Sequence, residues 1–219
     1  MLGHLKQALS ASIGKKAWMA ISGLLLVGFL TTHLLGNLLL FAGDEGEAFN
    51  AYAAAISNNP LLPVAELLLA TLFLAHLALG VRVSMENRAS RELRYQRLAN
   101  HGGRTTGSGT MLISGIVVLL FLIIHLIDFR LDPSTHQDMA SAVTSKLGGA
   151  KGAFTYGVGV AALGLHLSHA IGSAFQTLGV NHPKYDSALQ IAGRGLGVIL
   201  ALGFLALPVL LFLSNGESR

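Results

Sequence analysis

Of the chain's 219 residues, 52% are hydrophobic and only 12% charged, about half the charged share of an ordinary soluble domain, and the mean hydropathy is +0.59. The apolar residues gather into runs of membrane-spanning length, which excludes a single water-soluble domain. The absence of cysteine excludes disulfides, thiolate metal sites, cysteine-ligated iron–sulfur clusters and covalent c-type haem attachment. The net charge of +4 calls for no nucleic-acid partner, because the basic residues stand in loops between apolar runs, where membrane topology accounts for them.

Ala17 to Phe41 is a 25-residue run without Asp, Glu, Lys or Arg; at ~1.5 Å per residue it exceeds a ~30 Å hydrocarbon core. It is too long for a removable signal peptide and lacks a small-residue cleavage site in the right place. The next loop, Gly43 to Pro60, carries Asp44, Glu45 and Glu47 without a basic residue, and Ala48 to Ser57 reads as a short helix lying at the surface. Leu61 to Val81 is a second span, interrupted only by Glu66. Thr110 to Ile127 is a third, reaching 108–130 with its Gly-rich start and last turn. Ala153 to Val180, rich in Gly and Ala, is a fourth. Gly195 to Leu213, or 193–213 with its first polar turn, is the fifth, and Pro208 is expected to kink it near its end. The predicted fold is all-α: a polytopic five-helix bundle forming one transmembrane domain over 1–219. Of the 15 lysines and arginines, all but Arg130, Lys146, Lys151 and Arg219 fall on the side of the N-terminus. The N-terminus is therefore expected in the cytoplasm and the C-terminus outside.

Five of the nine histidines, His33, His76, His125, His166 and His169, fall inside these spans, where an ionisable side chain is costly and usually faces the bundle interior. Because successive spans run in opposite directions, His33 and His125 share the outer half, while His76, His166 and His169 share the inner half. Two facing imidazoles at one depth suit a six-coordinate haem iron, and two such levels suit two stacked haems. A bare zinc-like ion fits less well, since no third or fourth ligand stands at either depth. In span four, His166 and His169 lie three residues apart on neighbouring parts of one helix face. Depth favours His169 for the inner level, with His166 as second choice or as a contact to a haem propionate. Gly36, Gly80 and Gly172, each three or four residues after a histidine, leave room for a flat macrocycle or simply permit close helix packing.

Several stretches together resemble one family, the five-helix, di-haem b558-type cytochrome b anchors of succinate dehydrogenases and fumarate reductases. They include Ser12-Ile13-Gly14-Lys15-Lys16, His33-Leu34-Leu35-Gly36-Asn37-Leu38, Phe49-Asn50-Ala51-Tyr52-Ala53 and Glu66 ahead of His76. Further ones are Glu86-Asn87-Arg88, Phe121-Leu122-Ile123-Ile124-His125, His166-Leu167-Ser168-His169-Ala170 running on through Gly179, and Asn181-His182-Pro183-Lys184-Tyr185. The resemblance implies a non-flavin subunit of succinate dehydrogenase or fumarate reductase in a bacterial-type inner membrane, bound to a flavoprotein subunit and an iron–sulfur subunit. FAD and the iron–sulfur clusters, and the succinate chemistry itself, would then lie on those partners, in a complex that can form a higher oligomer. It further implies two b haems, the distal on His33 and His125 and the proximal on His76 and His169, passing electrons to menaquinone or another quinone. The sequence departs from the family at Leu167, where some fumarate reductase relatives carry a glutamate of a proton path, and at Gly109, where an Arg is common; Arg104 is the candidate to replace that contact.

For the quinone and its protons the candidates are Glu66, whose burial would raise its pKa, with Ser22 and Arg82 at the inner side. A helix-start carboxylate reaching interfacial water is the plainer reading of Glu66. Two alternatives remain open at this level. One is a di-haem anchor of another quinone-linked enzyme, whether a fumarate reductase, a hydrogenase or a formate dehydrogenase. The other is a proton-coupled transporter without haem, against which stands the lack of a visible inverted repeat.

Overall fold

The computed structural model describes residues 12–89, 106–180 and 184–217, and among them it contains seven α-helices and no strand. These are α1 (Ser12–Leu38), α2 (Glu47–Ser57), α3 (Leu62–Ala89), α4 (Thr106–His125), α5 (Met139–Leu147), α6 (Ala150–Thr177) and α7 (Asp186–Glu217). In hydrocarbon every backbone N–H and C=O must be satisfied within the segment, so long apolar runs become helices. Accordingly α1, α3, α4, α6 and α7 are each long and apolar enough to cross a membrane, and the chain is a multi-pass membrane protein. Pro63 sits in the first turn of α3, where its missing N–H costs nothing. Pro208 lies buried within α7, which continues past it to Glu217.

Helix α1 packs along α3 on one side and α6 on the other; α4 packs along α6 and touches α3 lightly. These four close a ring in which α1 stands opposite α4 and α3 opposite α6. Helix α7 lies outside the ring against α6. That seam is the most extensive among the described helices, and small residues let the two come close. Gly164 faces Ala201, Gly193 faces Ile171, and Gly197 faces Leu167, with Leu167, Ile171 and Leu200 buried. By contrast Leu67, Leu68 and Leu74 of α3 are exposed, as expected of side chains whose solvent is lipid.

The end of the ring at which α1 begins is called here the near end, and the other the far end. At the far end α2 and α5 form a cap. Phe49 is buried, and the Asn50 side chain joins the two helices: its Nδ2 donates to Asp138 Oδ1 at 2.9 Å, and its Oδ1 accepts the Ala140 N–H at 2.9 Å. The hydroxyl end of the Tyr52 ring abuts Gly36, where a Cβ would come within 2.5 Å of Cε1. Helix α5 is not foreseen by the sequence reading, although Asp138 caps it, accepting the Ser141 N–H at 2.9 Å. Those contacts, the Ser141 N–H first and then Asn50, hold the Asp138 carboxyl below the usual carboxylate range. Asp132 is held further below it by Lys146 Nζ at 2.7 Å and by the Ser134 hydroxyl at 2.6 Å.

Past His125, helix α4 runs on into a wider π turn, Leu126–Arg130. Arg130 reaches across to α3 and grips Glu66 with two bonds, Nε to Oε1 at 2.6 Å and Nη2 to Oε2 at 3.0 Å. At the near end Lys15, almost fully buried, bonds Glu86 of α3, which also accepts from Arg82 Nε at 3.2 Å.

Candidate functional site

Two pairs of imidazoles meet inside the ring, one across each diagonal. His33 of α1 and His125 of α4 have ring centroids 5.8 Å apart at 85°. His76 of α3 and His166 of α6 have centroids 6.5 Å apart at 76°. Ser22 touches His76 and stands eleven residues before His33 on α1; Ser114 touches His166 and stands eleven before His125 on α4. At ~1.5 Å per residue the two levels lie roughly 16 Å apart along the bundle, with the His76–His166 level at the near end.

The far level is aromatic. The His33 ring stacks on Phe29 at 5.4 Å and lies 5.9 Å from Phe204. His125 stands among Phe121, Phe129 and Tyr156 at 6.0, 5.4 and 6.1 Å, and the Tyr156 hydroxyl donates to Asp128 Oδ2 at 2.9 Å. The Nδ1 of His125 is buried and has no hydrogen-bond partner. The near level is hydroxylic instead. Ser22 Oγ lies 3.1 Å from His76 Nδ1, and Ser114 Oγ lies 3.3 Å from His166 Nδ1.

The expected sharing of depth by His33 and His125 is thus what the helices produce, but at the near level the outcome differs from the first choice. His166, rather than His169, faces His76. Gly159 and His166, seven residues apart, lie on one stripe of α6. Gly159 abuts Phe121 of α4, and His166 meets Ser114 of α4, whereas His169 is turned about 60° off that stripe. The expectation for Glu66 also changes: it is no isolated buried carboxylate but the partner of Arg130 in a two-bond ion pair. Arg82 is occupied by Glu86, and Ser22 faces an imidazole. Arg104, Asn181 and His182 lie outside the described residues. Ser114 escaped the sequence reading. Its signal is a pentapeptide repeated with one change, Met19-Ala20-Ile21-Ser22-Gly23 and Met111-Leu112-Ile113-Ser114-Gly115, whose serine in each case stands eleven residues ahead of a histidine.

The donor set fits haem. Each level offers two imidazoles from opposite helices, and no group of three or more His, Cys, Asp or Glu able to hold a metal occurs among the described residues. Two facing nitrogens suit a metal that brings its own equatorial ligands. A metal–imidazole bond of ~2 Å on each side spaces two ring centroids by roughly 6 Å, the spacing seen at both levels. The orphaned Nδ1 of His125 is a buried polar atom of the kind that a native protein leaves only for a reason.

Residues 7–99, which include α1 to α3 with His33 and His76, match the family described as succinate dehydrogenase/fumarate reductase transmembrane subunit. The match covers less than half of the chain and supports the resemblance drawn from the sequence over that stretch. No curated protein and no solved structure matches the chain.

Proposed function

We propose that the chain is the di-haem cytochrome b anchor of a succinate:quinone oxidoreductase, with His33 and His125 as ligands at the far level and His76 and His166 at the near level. The observation that carries this reading is the placing of two imidazole pairs across the two diagonals of one helix ring. When bound, the two haems supply a one-electron relay between an iron–sulfur partner at the near end and menaquinone or another quinone. The chain's own residues do the rest: the imidazoles hold and orient, and Phe29, Phe121, Phe129 and Phe204 keep water from the far level. Succinate oxidation belongs to a flavoprotein subunit carrying FAD, joined through an iron–sulfur subunit at a cytoplasmic near end of a bacterial-type inner membrane. Glu66, beside Arg130 at the far end, is the residue proposed to serve the quinone's protons. His169 is not a ligand in this reading.

The test is a reduced-minus-oxidised spectrum with a pyridine haemochrome assay on the purified complex. Two b haems per chain are expected, one lost on changing His33 or His125 to Ala, the other on changing His76 or His166, and both retained by His169→Ala. A wild-type complex without a Soret band overturns the proposal. Glu66→Gln with intact haems is expected to slow quinone turnover; normal turnover removes Glu66 from the mechanism.

A further inference from the structure

The near level carries a feature that the far level lacks, and carries it twice. Each serine has one hydroxyl proton. Ser22 Oγ donates to the Met19 carbonyl at 3.0 Å and Ser114 Oγ to the Met111 carbonyl at 3.1 Å. A carbonyl can only accept, so with the hydroxyl proton on it each Oγ presents a lone pair to the neighbouring imidazole, the arrangement that suits an Nδ1–H donor. In that tautomer Nε2 of both His76 and His166 is unprotonated, the form in which imidazole binds a metal. A glycine follows each serine, with the closer approach at Gly23. A Cβ on Gly23 would stand 3.1 Å from His76 Cε1, and one on Gly115 3.4 Å from His166 Cε1. The same five-residue pattern thus makes the same serine seat for an imidazole on α1 and on α4.

We infer that Ser22 and Ser114 are a matched pair of positioning residues that fix the tautomer of both near-level imidazoles and strengthen them as donors to a bound haem. The inference rests on the proposed di-haem reading. A metal-bound imidazole that donates its other N–H to an oxygen becomes more basic and favours the more oxidised metal. The serines therefore hold the near haem at a lower potential than unsupported imidazoles would. At the far level the His125 Nδ1 has no hydrogen-bond partner among the described residues, so no equivalent hydroxyl supports that imidazole.

The experiment is a redox titration of the purified complex, followed optically and by low-spin ferric EPR, with Ser22→Ala, Ser114→Ala and the double variant. The near haem is identified by its loss in His76→Ala. Each single variant is expected to raise the near-haem midpoint and shift its ferric g values, the double variant more than either, with the far haem unmoved. A near-haem midpoint unchanged in both single variants, or a shift confined to the far haem, overturns the inference. Should an Ala variant lose the near haem, the Thr variant at that position decides: retention at the wild-type midpoint supports the hydroxyl's role, and loss overturns it in favour of packing. A wild-type complex with no haem at all instead refutes the di-haem reading itself, so the two failures are distinguishable.

Discussion

Gly157 and Gly159 stand two residues apart on α6, and alanine should act on them in opposite directions. At Gly159 a Cβ would clash with Phe121 Cδ2 and Cγ; even the third-nearest atom, Cε2, would be 2.8 Å away, about 1 Å inside ordinary carbon–carbon contact. Phe121 has nowhere easy to go, because it lies 5.2 Å from the Tyr156 ring and 6.0 Å from that of His125. Overpacking of this kind costs ~1–3 kcal/mol, partly offset by up to ~1 kcal/mol of improved helix propensity. At Gly157 the nearest atom, Leu205 Cδ1, is 4.0 Å from the new Cβ, so only the propensity gain of at most ~1 kcal/mol remains. The propensity gain is common to both, so Gly159→Ala should come out less stable than Gly157→Ala by ~1–3 kcal/mol. Reversible unfolding in mixed micelles, with the chain's tryptophan as probe, measures the difference. The same displacement should disturb the far-level histidine environment while leaving the near level intact, which spectra of the loaded complex resolve. Equal stability of the two variants, or a near-level disturbance alone, refutes the packing described for α4 against α6.

Gly23→Ala should displace the His76 imidazole and broaden the near-level spectrum, whereas Gly115→Ala, with an ordinary 3.4 Å contact, should be tolerated; visible and EPR spectra of both decide it. Asn50→Ala removes two hydrogen bonds between α2 and α5 and should cost ~1–2 kcal/mol, seen as faster proteolysis of the far-end cap; unchanged proteolysis would show that the cap stands without it. Because the Asp132 and Asp138 carboxyls are held below their ordinary range, the unfolded chain takes up protons first as pH falls. Their contribution is therefore complete at neutral pH and fades below about 4, through the unfolded-state value and on toward the native one. Lys146→Met removes the larger hold on Asp132 and should flatten the acid side of a stability–pH curve; an unaltered curve would count against it.

Much of the bundle was legible because the physics is coarse: a charge-free run of 25 residues at Ala17–Phe41 has few structures open to it in a bilayer. The common level of His33 and His125 follows from the same count of spans. The choice between His166 and His169 did not, since it depends on how α6 is rotated. That rotation is set by Gly164, Leu167 and Ile171 meeting α7 and by Gly159 meeting Phe121, contacts between segments that no local pattern reveals. Helix α5 is short and polar enough to pass for loop, although Asp138 at its start and Lys146 in its last turn are ordinary end signals. Glu66 stands alone in the sequence because its partner, Arg130, lies in another span and comes within reach at the end of a π turn.

The repeated seats divide the described spans into two halves, α1 with α3 and α4 with α6, and α7 follows without a counterpart. Each level draws one imidazole from each half: His33 and His76 come from the first, His125 and His166 from the second. Neither half can complete a ligand pair by itself. In the di-haem reading, uptake of either haem then reports that the two halves have met in register, and the cofactor serves as a checkpoint on assembly inside the membrane as well as a carrier of electrons.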